Sequence, residues 1–227
     1  MFTYLTHQLL VRFYKNSYLN FKKNLSKLQE VQENNLSNIL NISSQTQFGR
    51  DLNVKERWNY DRFSNEVPIH SYEDFAPYIL HQKTNNLNQI TKNLQKFQPT
   101  SGSTGQRKWI PYSTEILNEF NQSIGPWLCD MYQTFPQVLK GKHYWSLSWI
   151  PDNLKTEIFE NDDLSYFSWP RRVLMQRIMA IPGNITISKS STASQIATLS
   201  FLLAEKNLTM IFIWSPTFFL SLLELLK

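Results

Sequence analysis

Glycine is scarce in this chain, with 6 in 227 residues, where about 7% is usual. Each glycine therefore carries information, and Gly102 and Gly105 stand almost together. A single cysteine, Cys129, excludes an internal disulfide and any cysteine-based zinc cluster. The four histidines, His7, His70, His81 and His143, show no metal-ligand spacing. Charged residues reach only 18%, and basic exceed acidic by 23 − 18 = 5. That excess sits largely on Arg12, Lys15, Lys22, Lys23 and Lys27, which reads as a solvated helix face. No zinc-finger spacing or RNP-like string accompanies it, so nucleic acid is not expected as a partner. What the chain does have is apolar mass. Hydrophobic residues make up 41% and aromatics 14%, enough for an aromatic-rich core and too much for a disordered polymer. The length allows one large domain or two small ones.

The first residues do not read as a signal peptide, because the positive charges follow Leu9, Leu10 and Val11 instead of preceding them. With one free thiol, a reducing cytoplasm is the expected compartment. Leu208 to Leu226 carries a single charge, Glu224, and could be scored as a membrane span. Ser215-Pro216 in its middle argues otherwise. Residues 208–214 suit a buried strand, Ser215 a helix N-cap and Pro216 a first helical position. Strand, turn and helix are expected, with no membrane span.

Along the chain, Leu10, Tyr14, Phe21, Leu25 and Leu28 fall at helical steps, so the first thirty residues read as an amphipathic helix. A second helix carries Val31, Leu36, Ile39 and Leu40, with Gly49 following as a break. Pro68 to Asp74 reads as a turn feeding a short helix that Ser71 can cap, with Glu73 and Asp74 at its positive end. Residues 82–96 are polar and read as a surface connection. Thr114 to about Tyr132 is the clearest helix, with Gly125-Pro126 inside it. His143 to Ile150 and Ile185 to Ser188 read as strands, and Thr192 to Lys206 as a helix. Alternation of strands and helices points to an α/β architecture. The last residues, Leu225-Leu226-Lys227, end an apolar helix without a glycine cap, and from this the chain is expected to be a fragment or one half of a larger unit. Residues 1–45 are expected to form a helical segment and 46–227 a partial domain.

Chemistry concentrates in Thr100-Ser101-Gly102-Ser103-Thr104-Gly105-Gln106-Arg107-Lys108, ahead of Trp109-Ile110-Pro111-Tyr112. Glycines let backbone N–H groups turn toward an anion. Hydroxyls donate to phosphate oxygens, and Arg107 and Lys108 can neutralise phosphate charge. Together they suit a polyphosphate cradle, against the plainer reading of a Ser/Gly turn between strands. The segment is neither a Walker A loop nor a Rossmann G-x-G-x-x-G.

This loop resembles the phosphate-binding motif of adenylate-forming enzymes, and more narrowly that of the auxin-responsive Gretchen Hagen family of acyl-acid amido synthetases. Thr46 to Asp51, Val67 to Phe75 with Pro77-Tyr78-Ile79, and Trp214 to Phe218 with Leu222-Leu223 are similar to further stretches of that family, in the same order. The resemblance implies the N-terminal part of an adenylate-forming, firefly-luciferase-like large domain, with helices flanking a mixed sheet. It implies an ATP-dependent ligase that adenylates a carboxylic acid and passes the acyl group to an amine or amino acid. Carried over by residue, Thr100, Ser101, Gly102, Ser103, Thr104, Gly105 and Lys108 would hold the phosphates, with Arg107 a weaker candidate. Ile124, Trp127 and Leu128 on the following helix would line a pocket for an apolar or aromatic acid, although a stripe at helical spacing also suits plain core. The family's later motifs for adenine, ribose and Mg²⁺ find no match, including a Tyr-x-x-Ser-Glu string. Mg²⁺ ligands are therefore expected outside this chain, and little turnover from these residues alone. The alternatives are an acyl- or aryl-CoA ligase with a related loop, or a catalytically inactive remnant. His143 and Cys129 are expected to be structural, and Asp162-Asp163 an exposed loop.

Overall fold

The computed structural model describes residues 2–85, 87–100, 107–147, 149–152, 155 and 169–226. These fold as a helix-rich α/β chain in two compact units, Asn20–Glu119 and Met1–Leu19 with Phe120–Lys227. The strands fall into two pairs among the described residues, one antiparallel and one parallel.

The unit built on Asn20–Glu119 is stitched together by caps. Helix α1 (Phe2–Asn24) stops short of the expected thirtieth residue, and α2 (Leu28–Ser43) starts anew. Between them Ser26 Oγ donates to the Lys23 carbonyl at 2.9 Å, closing the helix end. Phe21, Leu25 and Leu28 remain half exposed despite their helical spacing. Gly49 is not a break. It lies buried inside α3 (Gln47–Asp51), where a Cβ would stand 1.8 Å from the Ser43 carbonyl oxygen, so only glycine permits that approach. Thr46 caps α3 by accepting from the Gly49 N–H at 3.1 Å and donating to the Ser43 carbonyl at 2.8 Å. The short α4 (Tyr60–Glu66) is capped in the same way, with the Asn59 side chain accepting the Arg62 N–H at 3.0 Å.

Helix α5 (Tyr72–Asn85) is longer than the short helix expected, and it absorbs the start of the polar stretch that read as a connection. Its first turn is fixed by Asp74, whose carboxylate accepts from both the N–H and the hydroxyl of Ser71 at 2.7 and 3.0 Å. Those two bonds hold the Asp74 carboxyl below its usual range. Phe48, His70, Phe75 and Tyr78 form an aromatic cluster with ring centroids 5.0–5.7 Å apart, joining α3 to α5. Strands β1 (Leu94–Pro99) and β2 (Trp109–Ser113) then pair antiparallel, with Pro99 opposite Trp109.

The other unit is organised around β3 (Lys142–Trp145), which is nearly all buried and pairs parallel with β4 (Leu208–Phe212). On its other side the His143 carbonyl accepts the Ala180 N–H at 2.7 Å. The strand is shorter than the expected run to Ile150, since the ladder ends once the Ser146 N–H has donated to the Phe212 carbonyl. Ile185 to Ser188 is not a strand. It belongs to a 3-10 turn over Gly183–Ile187, whose Thr186 carbonyl takes the Ile150 N–H at 2.8 Å. Helix α6 (Thr114–Thr134) runs as expected and packs Leu128, Cys129 and Tyr132 into the core beside Leu10 and Tyr14 of α1. Helix α7 (Trp169–Ile178) adds Leu174, Met175 and Ile178 to that core. Helix α8 (Ser191–Ala204) precedes β4, and α9 (Pro216–Glu224) follows it with Ser215 as N-cap and Pro216 first. Among the described residues no helix is long and apolar enough to cross a membrane.

Candidate functional site

Nothing in Leu94–Pro99 looks like a strand, because Gln95, Lys96 and Gln98 break any apolar run. The pairing is enforced from both ends. At the base, the positive φ of Asn93 turns its carbonyl to accept both the N–H and the hydroxyl of Thr114 at 3.1 and 3.3 Å. At the tip, the Thr100 N–H donates to the Lys108 carbonyl at 2.8 Å. That bond closes a neck, so the hydroxyl- and glycine-rich segment leaves and returns at one point. Ser101, Gly102, Ser103, Thr104 and Gly105 themselves lie outside the described residues.

Helix α5 holds the returning strand. The Tyr72 hydroxyl accepts the Trp109 N–H at 2.7 Å and lies 3.4 Å from the Trp109 carbonyl, to which it donates. One phenol thus satisfies both backbone groups on the edge of β2 that β1 does not reach. Eleven residues on, about three helical turns, Lys83 stands on the same face of α5 with its ammonium 3.4 Å from the Trp109 ring centroid. This is close cation–π geometry. Lys108 lies half exposed at 47%, its ammonium 4.9 Å over the Tyr72 ring and 3.8 Å from Glu73 Oε1.

The turn leading into β1 depends on a buried amide. Gln82 on α5 is 2% exposed. Its Oε1 accepts from the N–H groups of Gln89, Ile90 and Thr91 at 3.2, 2.9 and 3.2 Å, and its Nε2 donates to the Thr91 carbonyl at 2.8 Å. Neither Gln82 nor Tyr72 stands out in the sequence, since each acts on backbone far along the chain.

The expected acyl-pocket residues separate in the other unit. Leu128 is 1% exposed and belongs to the core, and Ile124 packs half-buried against it. Trp127 keeps 38% of its surface open. Its ring lies 5.7 Å from Trp145 and 5.1 Å from Phe212, and Phe212 lies 5.3 Å from Trp214. Trp145 and Phe212 end β3 and β4, so an aromatic ledge stands at the carboxyl ends of two parallel strands, where α/β sheets bind ligands.

His143 is structural, as expected. Its Nε2 donates to the Val138 carbonyl at 3.0 Å, and its ring lies 4.4 Å from that of His7. His7 in turn donates from Nε2 to the Gly141 carbonyl and accepts at Nδ1 from the Tyr132 hydroxyl, each at 2.9 Å. Burial drives the His143 pKa down to about 4, with the His7 ring adding to the shift and the Val138 bond opposing it. Cys129 is a buried free thiol whose pKa burial raises, so it is inert rather than nucleophilic. Asp162-Asp163 lies outside the described residues.

Residues 18–227 match the GH3 family N-terminal domain. The chain belongs to the GH3 family. Thirteen solved chains resemble it. One, described as GH3.15 acyl acid amido synthetase, is 18% identical with a TM-score of 0.64, covering 92% of this chain and 37% of its own length. That likeness speaks for the fold alone, that of a GH3 N-terminal region. The chain spans little more than a third of the length of that solved GH3 relative. None of the curated proteins matches it.

Proposed function

We propose that this GH3 chain carries the phosphate-gripping part of an ATP-dependent ligase, one that adenylates a carboxylic acid and passes the acyl group to an amine or amino acid. The supporting observation is the hairpin neck. Thr100 and Lys108 bracket a segment of hydroxyls and glycines and are held by one backbone bond and by α5. In this reading residues 46–227 belong to the adenylation domain. Thr100, Ser101, Ser103 and Thr104 offer hydroxyls and amides to the β- and γ-phosphates, Gly102 and Gly105 allow the turn, and Lys108 supplies charge. The acid's carboxylate oxygen attacks the α-phosphorus, the bond to the β-phosphate oxygen breaks, and pyrophosphate leaves with its electron pair. An amine nitrogen then attacks the acyl carbon, loses a proton, and AMP departs. The loop contributes positioning and stabilisation of the leaving charge.

Trp127, with Trp145 and Phe212 beside it, offers the apolar body of the acid a stacking surface. Among the described residues no cluster of three His, Cys, Asp or Glu could hold a metal ion. No step is routed through Mg²⁺. Work in the cytoplasm agrees with the one free thiol.

Acid-dependent ATP–pyrophosphate exchange in the protein that carries this chain tests the reading, followed by amino acids or coenzyme A as acceptor. Exchange with an aromatic or apolar acid, and an amide product, support it. Thioester formation with coenzyme A instead, or no exchange with any acid, contradicts it. The 227 residues by themselves are expected to form amide at background level.

A further inference from the structure

The cation that the nucleotide would need is already engaged. The Lys108 ammonium rests between a carboxylate and a ring, both on the first turn of α5. Glu73 is an anion at neutral pH. The backbone N–H at the helix start, the Ser71 hydroxyl and Lys108 each hold its carboxyl below the usual range. Tyr72 pins the backbone of the next residue, Trp109, so the start of the Lys108 side chain is fixed while its tip remains half exposed and free to change rotamer. An exposed ion pair of this kind is weak, so it can hold the ammonium at rest without preventing its transfer to a stronger anion.

We propose that Glu73 competes with the nucleotide for Lys108: the ammonium rests on Glu73 and Tyr72 in the empty protein and turns to the polyphosphate oxygens when ATP enters, so that Glu73 sets the affinity. This rests on the reading of residues 100–108 as a phosphate-binding hairpin. Tyr72 is then a positioning residue, fixing the pivot about which Lys108 turns. Glu73 also carries a like charge toward the incoming phosphates, so its effect has two parts that must be told apart.

The test is calorimetric titration of the protein that carries this chain with ATP, and separately with inorganic tripolyphosphate, at low salt. Four proteins are compared: wild type, Glu73→Gln, Lys108→Met and the double variant. Both replaced side chains are exposed, and circular dichroism checks that the fold is kept. Lys108→Met is expected to weaken binding about tenfold. Glu73→Gln is expected to tighten it about three- to tenfold, the scale of an exposed ion pair plus one screened repulsion. With Lys108 already replaced, the gain from Glu73→Gln should shrink below about twofold. An unchanged or weakened affinity in Glu73→Gln overturns the proposal, as does the same gain with and without Lys108, which would reduce Glu73 to a background charge. If Lys108→Met leaves ATP affinity at the wild-type value, or wild type binds no ATP, the hairpin reading fails and the competition with it. If Lys108→Met weakens binding while Glu73→Gln does nothing, the competition alone fails.

Discussion

Replacing Gln82 by Ala removes one acceptor from three backbone N–H groups and one donor from the Thr91 carbonyl. A single neutral hydrogen bond contributes about 0.5–1.5 kcal/mol net, and a polar group left buried and unpaired costs about 1–3 kcal/mol. The three N–H groups share one oxygen, two of them at 3.2 Å, so their contributions do not add fully. Gln89, Ile90 and Thr91 are half-buried, so water can reach part of the vacated site. The working figure is about 2–4 kcal/mol. With a urea slope of about 2–3 kcal/mol/M, the unfolding midpoint should fall by about 1–2 M. Hydrogen exchange gives the local reading: the Ile90 and Thr91 amides should lose protection before the rest of the unit opens. A midpoint within about 0.2 M of wild type, roughly a tenth of the expected shift, with exchange at those amides unchanged, would refute the assignment of Gln82 as the post that carries the turn into β1.

Three other outcomes are expected. Gly141→Ala should destabilise by about 3 kcal/mol or more, because the added Cβ would stand 1.9 Å from the Asn207 carbonyl oxygen, which is backbone and cannot rotate away. Thermal denaturation checks this, and a change under about 0.5 kcal/mol contradicts it. Acid should weaken the fold through His143, whose pKa is about 4 when folded against the ordinary 6.5 of a solvated histidine in the unfolded chain. Between those values the unfolded chain binds the proton and the native chain does not. The contribution is therefore complete above about pH 6.5, has fallen by about 2 kcal/mol at pH 5, and is gone below about pH 4. Equal urea midpoints at pH 7 and pH 5 would contradict the buried neutral histidine. Trp127→Ala should cost at most about 1–2 kcal/mol of stability, since the ring is partly exposed, yet raise the KM for an aromatic acid at least about tenfold in ATP–pyrophosphate exchange. A change in stability without a change in KM makes the ring simple core.

What the sequence discloses follows the range of the forces involved. Ser215-Pro216 was legible as a helix start because capping is local: the Ser215 hydroxyl accepts the Phe218 N–H three residues on. The α6 stripe was legible because its period repeats over the whole helix. Ile185-Thr-Ile-Ser188 alternates like a strand and is not one, because a strand needs a neighbour's ladder: here the Thr186 carbonyl takes the Ile150 N–H, while the Ile185 and Ser188 carbonyls accept from the side chains of Ser194 and Trp149. Phe21, Leu25 and Leu28 keep helical spacing but lie half exposed, so period alone did not place them in the core. At the candidate site, composition alone marked residues 100–108. What holds the flanking backbone did not show, because Tyr72 reaches Trp109 across 37 positions and Gln82, which holds residues 89–91, uses an amide common on any surface. The same holds for the ledge. Trp127 lay on the predicted helix, but Phe212 and Trp145 join it only when β3 and β4 pair.

In the proposed function the hairpin of β1 and β2, and no other part of this chain, grips the phosphates of a nucleotide. Backbone amide shifts of the uniformly labelled chain during titration with ATP test it most directly. The largest shifts are expected between Thr100 and Trp109, saturating together and weakened in Lys108→Met. Shifts spread over the basic residues of α1, with the Thr100 and Lys108 amides unmoved, would contradict it.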